Sequence, residues 1–415
     1  MEDGSVNPIL DYVQKLTRTK KGLPHAQPVC VLASLKITTA AELLKLAAEL
    51  GPHMTIFQIQ ADSINDWNEG VIDQLVYLSK KHGFILWEGS RILNATFAVP
   101  EMEAAGTQSQ MNHALINMIT KRYVGGHLKA AEWSGLSTSW AASVPYNHQE
   151  KDLLMPSLRK AVRQVVSSTA KTIQTEISAA EESEPIPDHL EVPLSPPSTG
   201  GWSEFSAENM GLALRKMSTI SVTESTTTQP YVQTDEGIPP PPSHSRGMVL
   251  CLPPSSTNTP FKPDFRQSTL VAACANPDFV VGVVCTEPLY CAYTGNTLME
   301  LANASDQGVF DENGDSVLLS SPYIDTQCTP AVFSLVPPDV IVGDAGEDDE
   351  EPNEISGETQ NEAESDDTPT ITKLYQLMDQ AFQLREASRQ QYTPPADAHN
   401  QYGPNLYHIP VVILP

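Results

Sequence analysis

The chain has 415 residues, of which 40% are hydrophobic and 18% are charged, and its formal net charge is −26. This length accommodates two or three average domains, or a single barrel of roughly 250 residues with long insertions. The negative charge argues against nucleic acid as a partner, because phosphate backbones are bound by clustered Lys and Arg. The longest apolar runs, such as Phe279–Cys285, are too short to cross a bilayer, which argues against a membrane protein.

The six cysteines show no C-x-x-C spacing, and no signal peptide is recognisable. These features predict reduced thiols in a cytoplasmic protein. No histidine spacing fits a metal site, and no phosphate-binding or dinucleotide-binding glycine motif is found. We therefore expect neither a metal nor an organic cofactor.

The first half of the chain alternates apolar runs of strand length with amphipathic stretches of helix length. The predicted helices are Asn7–Lys21, Ala40–Leu50, Trp67–Lys81, Met111–Tyr123 and Leu153–Ile177, and the predicted strands are Val29–Leu35, Met54–Gln60, Phe84–Glu88 and Leu136–Ala141. Thr39 is the expected N-cap of the second helix, with Glu42 in its first turn. This alternation is typical of βαβ units around a parallel sheet, so residues 1–179 are predicted to hold strands 1–4.

Pro, Ser, Thr and Glu dominate residues 180–246. Such a segment buries too little apolar surface to offset the entropy lost on ordering, which predicts a disordered insertion. Its proline run, Pro239–Pro242, fits either a flexible insertion or a polyproline II ligand for an SH3 or WW domain.

The second half carries weaker strand signals. The predicted strands are Met248–Leu252, Phe279–Cys285, Ser316–Ser320 and Val340–Val342, with a helix at Ser268–Ala275, so residues 247–343 would hold strands 5–8. Asp344–Asp367 contains twelve acidic residues and no basic one, which makes 344–370 an acidic low-complexity segment. A helix is predicted at Ile371–Ala387, and Gln391–Pro415 is predicted to be irregular, so 371–415 would be a terminal helix and tail.

Two stretches resemble the orotidine 5'-phosphate decarboxylases, with the fungal enzymes as the most similar type. After the strand Phe84–Glu88 those enzymes carry E-D-R-K-F-A-D-I-G, where this chain reads E-G-S-R-I-L-N-A-T from Glu88 to Thr96. Gly125–Trp133 is similar to the family's G-G-V-Y-R-I-A-E-W. The resemblance implies a (β/α)8 barrel, a homodimer, and cofactor-free decarboxylation of orotidine monophosphate to uridine monophosphate.

The family's alternating network of lysine and aspartate is altered in this chain. The resemblance aligns the strand-one Asp with Lys36, the strand-two Lys with Gln58, and the signature Asp, Lys and second Asp with Gly89, Arg91 and Asn94. In the family the signature Lys protonates the carbanion and the second Asp reaches the partner's site. A guanidinium is a poor acid at neutral pH, and the substituted carboxylates are gone.

The substrate contacts that the resemblance implies are altered as well. Ser34 and Ser255 keep the family residue, Thr286 replaces a glutamine, and Asp344 replaces the phosphate-binding arginine of V-G-R-G. Three hypotheses follow. The leading one is a non-catalytic relative with a binding or regulatory role related to pyrimidine synthesis. The others are an active decarboxylase with displaced catalytic groups and a nucleotide sensor.

Overall fold

A computed structural model describes most of the chain outside its polar insertions. The described residues are 7–89, 108–142, 144–145, 147–170, 234–235, 237–254, 263–288, 301, 330–337, 369–391 and 406–415. The chain divides into two units, one formed by residues 1–166 and 231–415 and the other by residues 167–230. In the second unit the structure describes 167–170, which end a helix.

Eight parallel strands close into a barrel in chain order, each paired with its sequence neighbour. The strands are β1 (Cys30–Ala33), β2 (Ile56–Ile59), β3 (Ile85–Glu88), β4 (Leu136–Ser139), β5 (Gly247–Cys251), β6 (Val280–Pro288), β7 (Ala331–Val336) and β8 (Tyr407–Leu414). β8 closes the barrel by pairing with both β1 and β7. The predicted (β/α)8 fold is confirmed.

Helices lie between consecutive strands in every connection except that between β6 and β7, most of which is outside the described residues. They are α1 (Pro8–Thr19), α2 (Ala40–Leu50), α3 (Glu69–His82), α4 (Gln108–Val124), α5 (Ala130–Trp133), α6 (Leu154–Ala170), α7 (Pro263–Ala275) and α8 (Thr370–Gln391). The predicted bounds of α2 are confirmed, and its N-cap works as expected. The Thr39 hydroxyl accepts the Glu42 N–H at 3.4 Å and donates to the Glu42 carboxylate at 2.8 Å. None of the described helices is long and apolar enough to span a membrane.

The barrel interior is a packed apolar layer. Every strand contributes to one buried cluster, which comprises Cys30, Ile56, Ile85, Trp87, Leu136, Val249, Val281, Ala331, Phe333, Ile409 and Val411 together with the apolar side of α1. The alternate strand residues form two outer clusters with the other helices. Because α1 supplies five residues to the inner cluster, from Ile9 to Leu16, this helix covers the end of the barrel where the strands begin.

A buried lysine ties the loops together at this N-terminal end. Lys20 is 4% exposed, and its Nζ donates to the carbonyl oxygens of Gly51, Met54 and Gly83 at 2.6, 2.6 and 3.1 Å. Gly51 and Met54 precede β2, and Gly83 precedes β3. One ammonium therefore joins α1 to two consecutive βα units by satisfying three carbonyls.

A strap formed by residues 234–246, of which all but 236 are described, also contacts the N-terminal end. Asp235 Oδ2 lies 2.8 Å from His82 Nδ1, and its backbone N–H donates to the Lys81 carbonyl at 2.9 Å. The Tyr12 hydroxyl donates to the Pro239 carbonyl at 2.9 Å. The strap is therefore attached to both α1 and the end of α3.

Apolar contacts hold the middle of the strap. Ile238 packs against the interior cluster, and its Cγ2 would overlap a Cβ added to Gly83. Within Pro239–Pro242, Pro240 is exposed and the other three prolines are half-buried. The last part of the predicted disordered insertion, 180–246, is thus packed on the barrel, and residues 171–233 lie outside the described residues. The proposed SH3 or WW ligand stays a prediction.

The predicted positions of the last two strands are wrong. Ser316–Ser320 and Val340–Val342 lie outside the described residues, and the barrel is completed by β7 and β8 instead. The predicted terminal helix is α8, which connects β7 to β8. The stretch predicted to be irregular, Gln391–Pro415, contains β8. Strands 5–8 therefore do not end at residue 343.

Candidate ligand site at the C-terminal end of the barrel

The C-terminal ends of the strands form the end of a (β/α)8 barrel at which such proteins act. Ser34 follows β1, and its backbone N–H donates to the Leu414 carbonyl at 2.9 Å. Its hydroxyl accepts the Lys36 N–H at 3.2 Å. Lys36 is exposed to solvent, so the lysine that sequence placed nearest to the site is not part of a buried charge network.

Gln58 and Gly89, two positions that the resemblance aligns with the family's charged network, are direct neighbours at the C-terminal end. Gly89 follows β3, and its N–H donates to the Ile59 carbonyl at 2.8 Å. A Cβ added to Gly89 would lie 3.2 Å from Gln58 Nε2 and 3.4 Å from Gln60 Cγ. The structure therefore brings Gln58 and Gly89 together, where the resemblance expects a lysine beside an aspartate.

This corner has unmet hydrogen-bonding capacity. Gln58 is 8% exposed, and its side chain makes no hydrogen bond with another described residue. Gln60 Oε1 is buried and has no donor among the described residues. A buried oxygen left without a donor, as Gln60 Oε1 is among the described residues, costs about 1–3 kcal/mol, so it calls for an explanation.

The barrel interior next to Gln58 is filled by aromatic side chains. Trp87 is the β3 residue in register with Gln58, and its Nε1 donates to Thr138 Oγ1 at 2.9 Å. The Trp87 and Phe333 rings are 4.7 Å apart between centroids, and both side chains are fully buried. The barrel interior next to Gln58 is therefore filled by buried aromatic rings.

Glu88, the first residue of the stretch that resembles the family signature, belongs to the outer side of β3. Ile85 and Trp87 lie in the interior cluster and Leu86 lies in an outer one, so alternation directs Glu88 outward. It is 1% exposed. Its charge helps to raise the pKa of Tyr123 to about 12, although burial of the phenol is the larger cause. Glu88 therefore does not belong to the corner formed by Gln58 and Gly89.

Arg266 in α7 is 5% exposed, and no motif in the sequence marks it as a functional residue. Its Nε donates to the Leu301 carbonyl at 2.9 Å, and its Nη1 donates to the Pro253 carbonyl at 2.5 Å and to Glu287 Oε1 at 2.7 Å. These contacts join the loop after β5 to the end of β6. The guanidinium therefore holds two loops together, and a helical position alone gives no sequence signal for that role.

The thiols at the strand ends are not nucleophiles at neutral pH. Burial raises the pKa of Cys251 to about 12 and that of Cys285 to about 11. Cys285 Sγ lies 3.3 Å from Ser334 Oγ. The four described cysteines are free thiols, and the described residues contain no cluster of three His, Cys, Asp or Glu suited to a metal ion.

Several predicted site residues cannot be placed. Arg91, Asn94, Ser255 and Asp344 lie outside the described residues, and Thr286 lies within β6 without a described side chain. The assignment of Asp344 to the end of strand eight is wrong, because β8 is Tyr407–Leu414. Asp344 lies instead in the connection between β7 and α8.

Comparisons with known proteins point to the same relatives as the motifs do. No protein-family model matches this chain. Among curated proteins, it is 28% identical over 130 residues to the orotidine 5'-phosphate decarboxylase of Solorina crocea, covering 31% of this chain and 37% of the relative. The corresponding values are 29% over 137 residues for the Magnusiomyces magnusii protein of that name, with 33% and 39% covered. The Coccidioides posadasii protein of that name is 30% identical over 124 residues, with 30% and 38% covered.

These matches span less than two-fifths of each relative's length. They agree with the closed barrel of eight parallel strands and with the motifs at Glu88 and Trp133. Taken together, the partial sequence matches and the barrel make this chain similar to the orotidine 5'-phosphate decarboxylases.

Proposed function

We propose that this protein does not decarboxylate orotidine monophosphate and instead has a binding or regulatory role related to pyrimidine synthesis. The observation that carries this proposal is the corner at which Gln58 lies beside Gly89. The family's mechanism, as the resemblance implies it, needs a lysine and an aspartate side by side at these two positions. An amide and a glycine supply neither the cation nor the anion.

Preorganised charge is the main means by which such a site lowers a barrier. The described lysines do not replace the missing charge at the corner. Lys36 is exposed, and the buried Lys20 lies at the opposite end of the barrel with its ammonium donated to three carbonyls. This distribution supports a barrel that binds without turnover rather than a decarboxylase with displaced groups.

The proposal is tested by incubating the full chain with orotidine monophosphate and measuring formation of uridine monophosphate. We expect no product above the uncatalysed rate and no growth of a uracil-requiring host that expresses the protein. Arg91→Lys alone should not restore activity, because a lone lysine lacks its carboxylate partners. Turnover by the unaltered chain would overturn the proposal.

We also propose an oligomeric state and a ligand affinity for this protein. We propose a cytoplasmic homodimer, as the family resemblance implies, which analytical ultracentrifugation of the full chain would test. We expect uridine monophosphate to bind more weakly than millimolar, because the described residues of the corner, Gln58, Gln60 and Gly89, include no cation for an anionic ligand. Calorimetric titration with uridine monophosphate measures the affinity directly.

A further inference from the structure

We propose that the strap hides a ligand for a polyproline-binding domain of the WW type, and that this domain binds only when the strap lifts from the barrel. The ligand is the proline run Pro239–Pro242, and the domain contributes an aromatic-lined groove. The inference goes beyond the proposed function, because the strap lies at the N-terminal end of the barrel and its role does not depend on any reaction at the other end.

The proline run has an extended backbone before any partner binds. Each proline ring fixes its own φ, and a residue that precedes a proline is confined to extended conformations. The second restriction applies to Ile238 and to the first three prolines, and the structure assigns neither helix nor strand to residues 238–242. Four consecutive prolines therefore favour polyproline II, the conformation that such domains recognise.

The edge of the run that a partner would contact is packed on the barrel. Polyproline II has three residues per turn, so Pro239 and Pro242 lie on one edge and form a P-x-x-P pair. Both are half-buried, as is Pro241, whereas Pro240 is exposed. The Tyr12 hydroxyl donates to the Pro239 carbonyl at 2.9 Å, and burial raises the pKa of Tyr12, which keeps this donor protonated. The barrel therefore occupies the edge that an aromatic groove would use.

Arg246 fixes the end of the strap that leads into β5. Its Nε donates to the Ala131 carbonyl at 3.0 Å, and its Nη2 donates to the Glu132 carbonyl at 2.8 Å, both in α5. Its Nη1 donates to the carbonyls of Ser243 and Ser245 at 2.9 and 3.0 Å. A guanidinium with four carbonyl acceptors holds this end in place, so Arg246 marks the hinge of the strap. This use of its donors favours a partner that binds the prolines alone over one that needs a flanking cation.

Asp235 holds the other end of the strap less firmly. Its Oδ2 lies 2.8 Å from His82 Nδ1, but its side chain is 38% exposed, so the pair contributes little to stability. One backbone hydrogen bond to the Lys81 carbonyl and the packing of Ile238 on the interior cluster complete this attachment. The strap should therefore open from Asp235 towards Arg246, which frees the proline run while β5 stays in the barrel.

The closed strap lowers the apparent affinity for a partner in proportion to the fraction of molecules in which it is open. A minor conformation of a folded protein is typically populated at about 0.1–10%. The dissociation constant measured for the whole protein is that of the free run divided by this fraction. We therefore expect the whole protein to bind a partner more weakly than the isolated strap does, by a factor of about ten or more.

The test uses a labelled WW domain of the class that binds uninterrupted proline runs, with fluorescence anisotropy as the readout. Its affinity is measured for a synthetic peptide of residues 234–246 and for the full-length protein. A double variant, Tyr12→Phe with Asp235→Ala, removes two of the contacts that close the strap, and it should bind at least about threefold more tightly than the unaltered protein. The matched control, Tyr77→Phe with Asp73→Ala at exposed positions of α3, should leave the affinity unchanged.

Two further measurements identify the ligand and the opening. In the double variant, Pro242→Ala should abolish binding because it breaks the P-x-x-P pair, whereas Pro240→Ala should retain most of it. Hydrogen exchange of the Ile238 amide, which donates to the Asp235 carbonyl at 3.1 Å, should be faster in the double variant even without a partner.

Three results would overturn the proposal. The first is a peptide that does not bind the WW domain, and the second is an unaltered protein that binds it as tightly as the peptide does. The third is a double variant that binds no more tightly than the unaltered protein, whether or not its Ile238 amide exchanges faster.

Discussion

Among the described residues, buried polar groups are hydrogen-bonded at the N-terminal end of the barrel, whereas some at the C-terminal end lack partners. At the N-terminal end, Lys20 donates three hydrogen bonds, and Asp235 of the strap is paired with His82. At the C-terminal end, the amide pair of Gln58 and Gln60 has hydrogen bonds left unmade within the described residues. In a (β/α)8 barrel the N-terminal end serves stability and the C-terminal end serves function. The contrast between the two ends of this barrel follows the same division.

At the C-terminal end, the two positions that the resemblance aligns with a lysine and an aspartate hold an amide and a glycine rather than large apolar side chains. A corner no longer needed would be expected to fill with apolar side chains, since well-packed hydrophobic groups stabilise more than unsatisfied amides. Gln58 and Gln60 remain polar, and Gly89 leaves room beside them. The corner formed by Gln58, Gln60 and Gly89 therefore differs from the apolar, filled interior of the barrel.

The largest effect is expected at Lys20. Lys20→Ala removes the donor for three carbonyls and leaves a cavity, and it should lower the free energy of unfolding by about 3 kcal/mol or more. Lys21→Ala is the matched control, because Lys21 is exposed. Chemical denaturation of both variants measures the difference. Equal losses would mean that the N-terminal end does not depend on the buried ammonium, and the comparison between the two ends would fail.

The next effect concerns the contact between α3 and the strap. Gly83 has φ +64°, and an added Cβ would also overlap Ile238. Gly83→Ala should therefore cost about 2 kcal/mol, from backbone strain plus displacement of the strap. Gly126→Ala has φ +73° with no atom within 4 Å of its added Cβ, so it measures the strain alone. If denaturation gives the two variants the same loss, the strap contact contributes nothing.

Lys20 also predicts a pH dependence. Burial lowers its pKa to about 7, and Asp235 opposes that shift. Because the folded-state pKa lies below the unfolded value of roughly 10.4, the unfolded chain binds the extra proton between these values. Stability should rise with pH there, by about 1.4 kcal/mol per pH unit when the difference is one full proton. Lys20→Met should lack this rise when both proteins are denatured between pH 7 and 10, and identical slopes would contradict the assignment.

The smallest effect is expected from Asp235→Asn, which weakens the half-exposed pair with His82. The loss should be at most about 1 kcal/mol, because Asp235 is partly solvated. Limited proteolysis is the more sensitive measurement. The polar composition of residues 183–233 predicts early cleavage there in the unaltered protein, while residues 237–245 resist. In Asp235→Asn the strap should also be cut, and an unchanged cleavage map would argue against its attachment through this pair.

The first half of the barrel could be predicted because local signals agree with the fold. Thr39 and Glu42 mark the start of α2, and the apolar runs of β1 to β4 are each followed by a helix with a matching apolar face. The adjacency of Gln58 and Gly89 was accessible through family resemblance. The unmade hydrogen bonds of the amide pair were not, because satisfaction of a buried group depends on tertiary neighbours.

The last two strands could not be predicted for identifiable reasons. Pro410 lies within β8, and proline removes a donor that a central strand normally uses, so the segment looks irregular. The structure tolerates it because β8 pairs with β1 only from Val411 onward. The acidic stretch Asp344–Asp367 between β7 and α8 also separates elements that are normally close in sequence. Arg266 and Lys20 were missed because their partners are backbone carbonyls, which leave no pattern in the sequence.

The pairing of β1 with β8 has a consequence for the order of folding. Cys30 pairs with Val411, so the first strand cannot gain its second neighbour until nearly the whole chain has been synthesised. Contacts of such long sequence separation form slowly, and an open sheet exposes an unpaired edge in the meantime. During translation the nascent chain must therefore carry β1 as an exposed edge while both long polar insertions emerge. Such intermediates aggregate readily, so the late synthesis of β8 should increase the dependence of this chain on chaperones during folding.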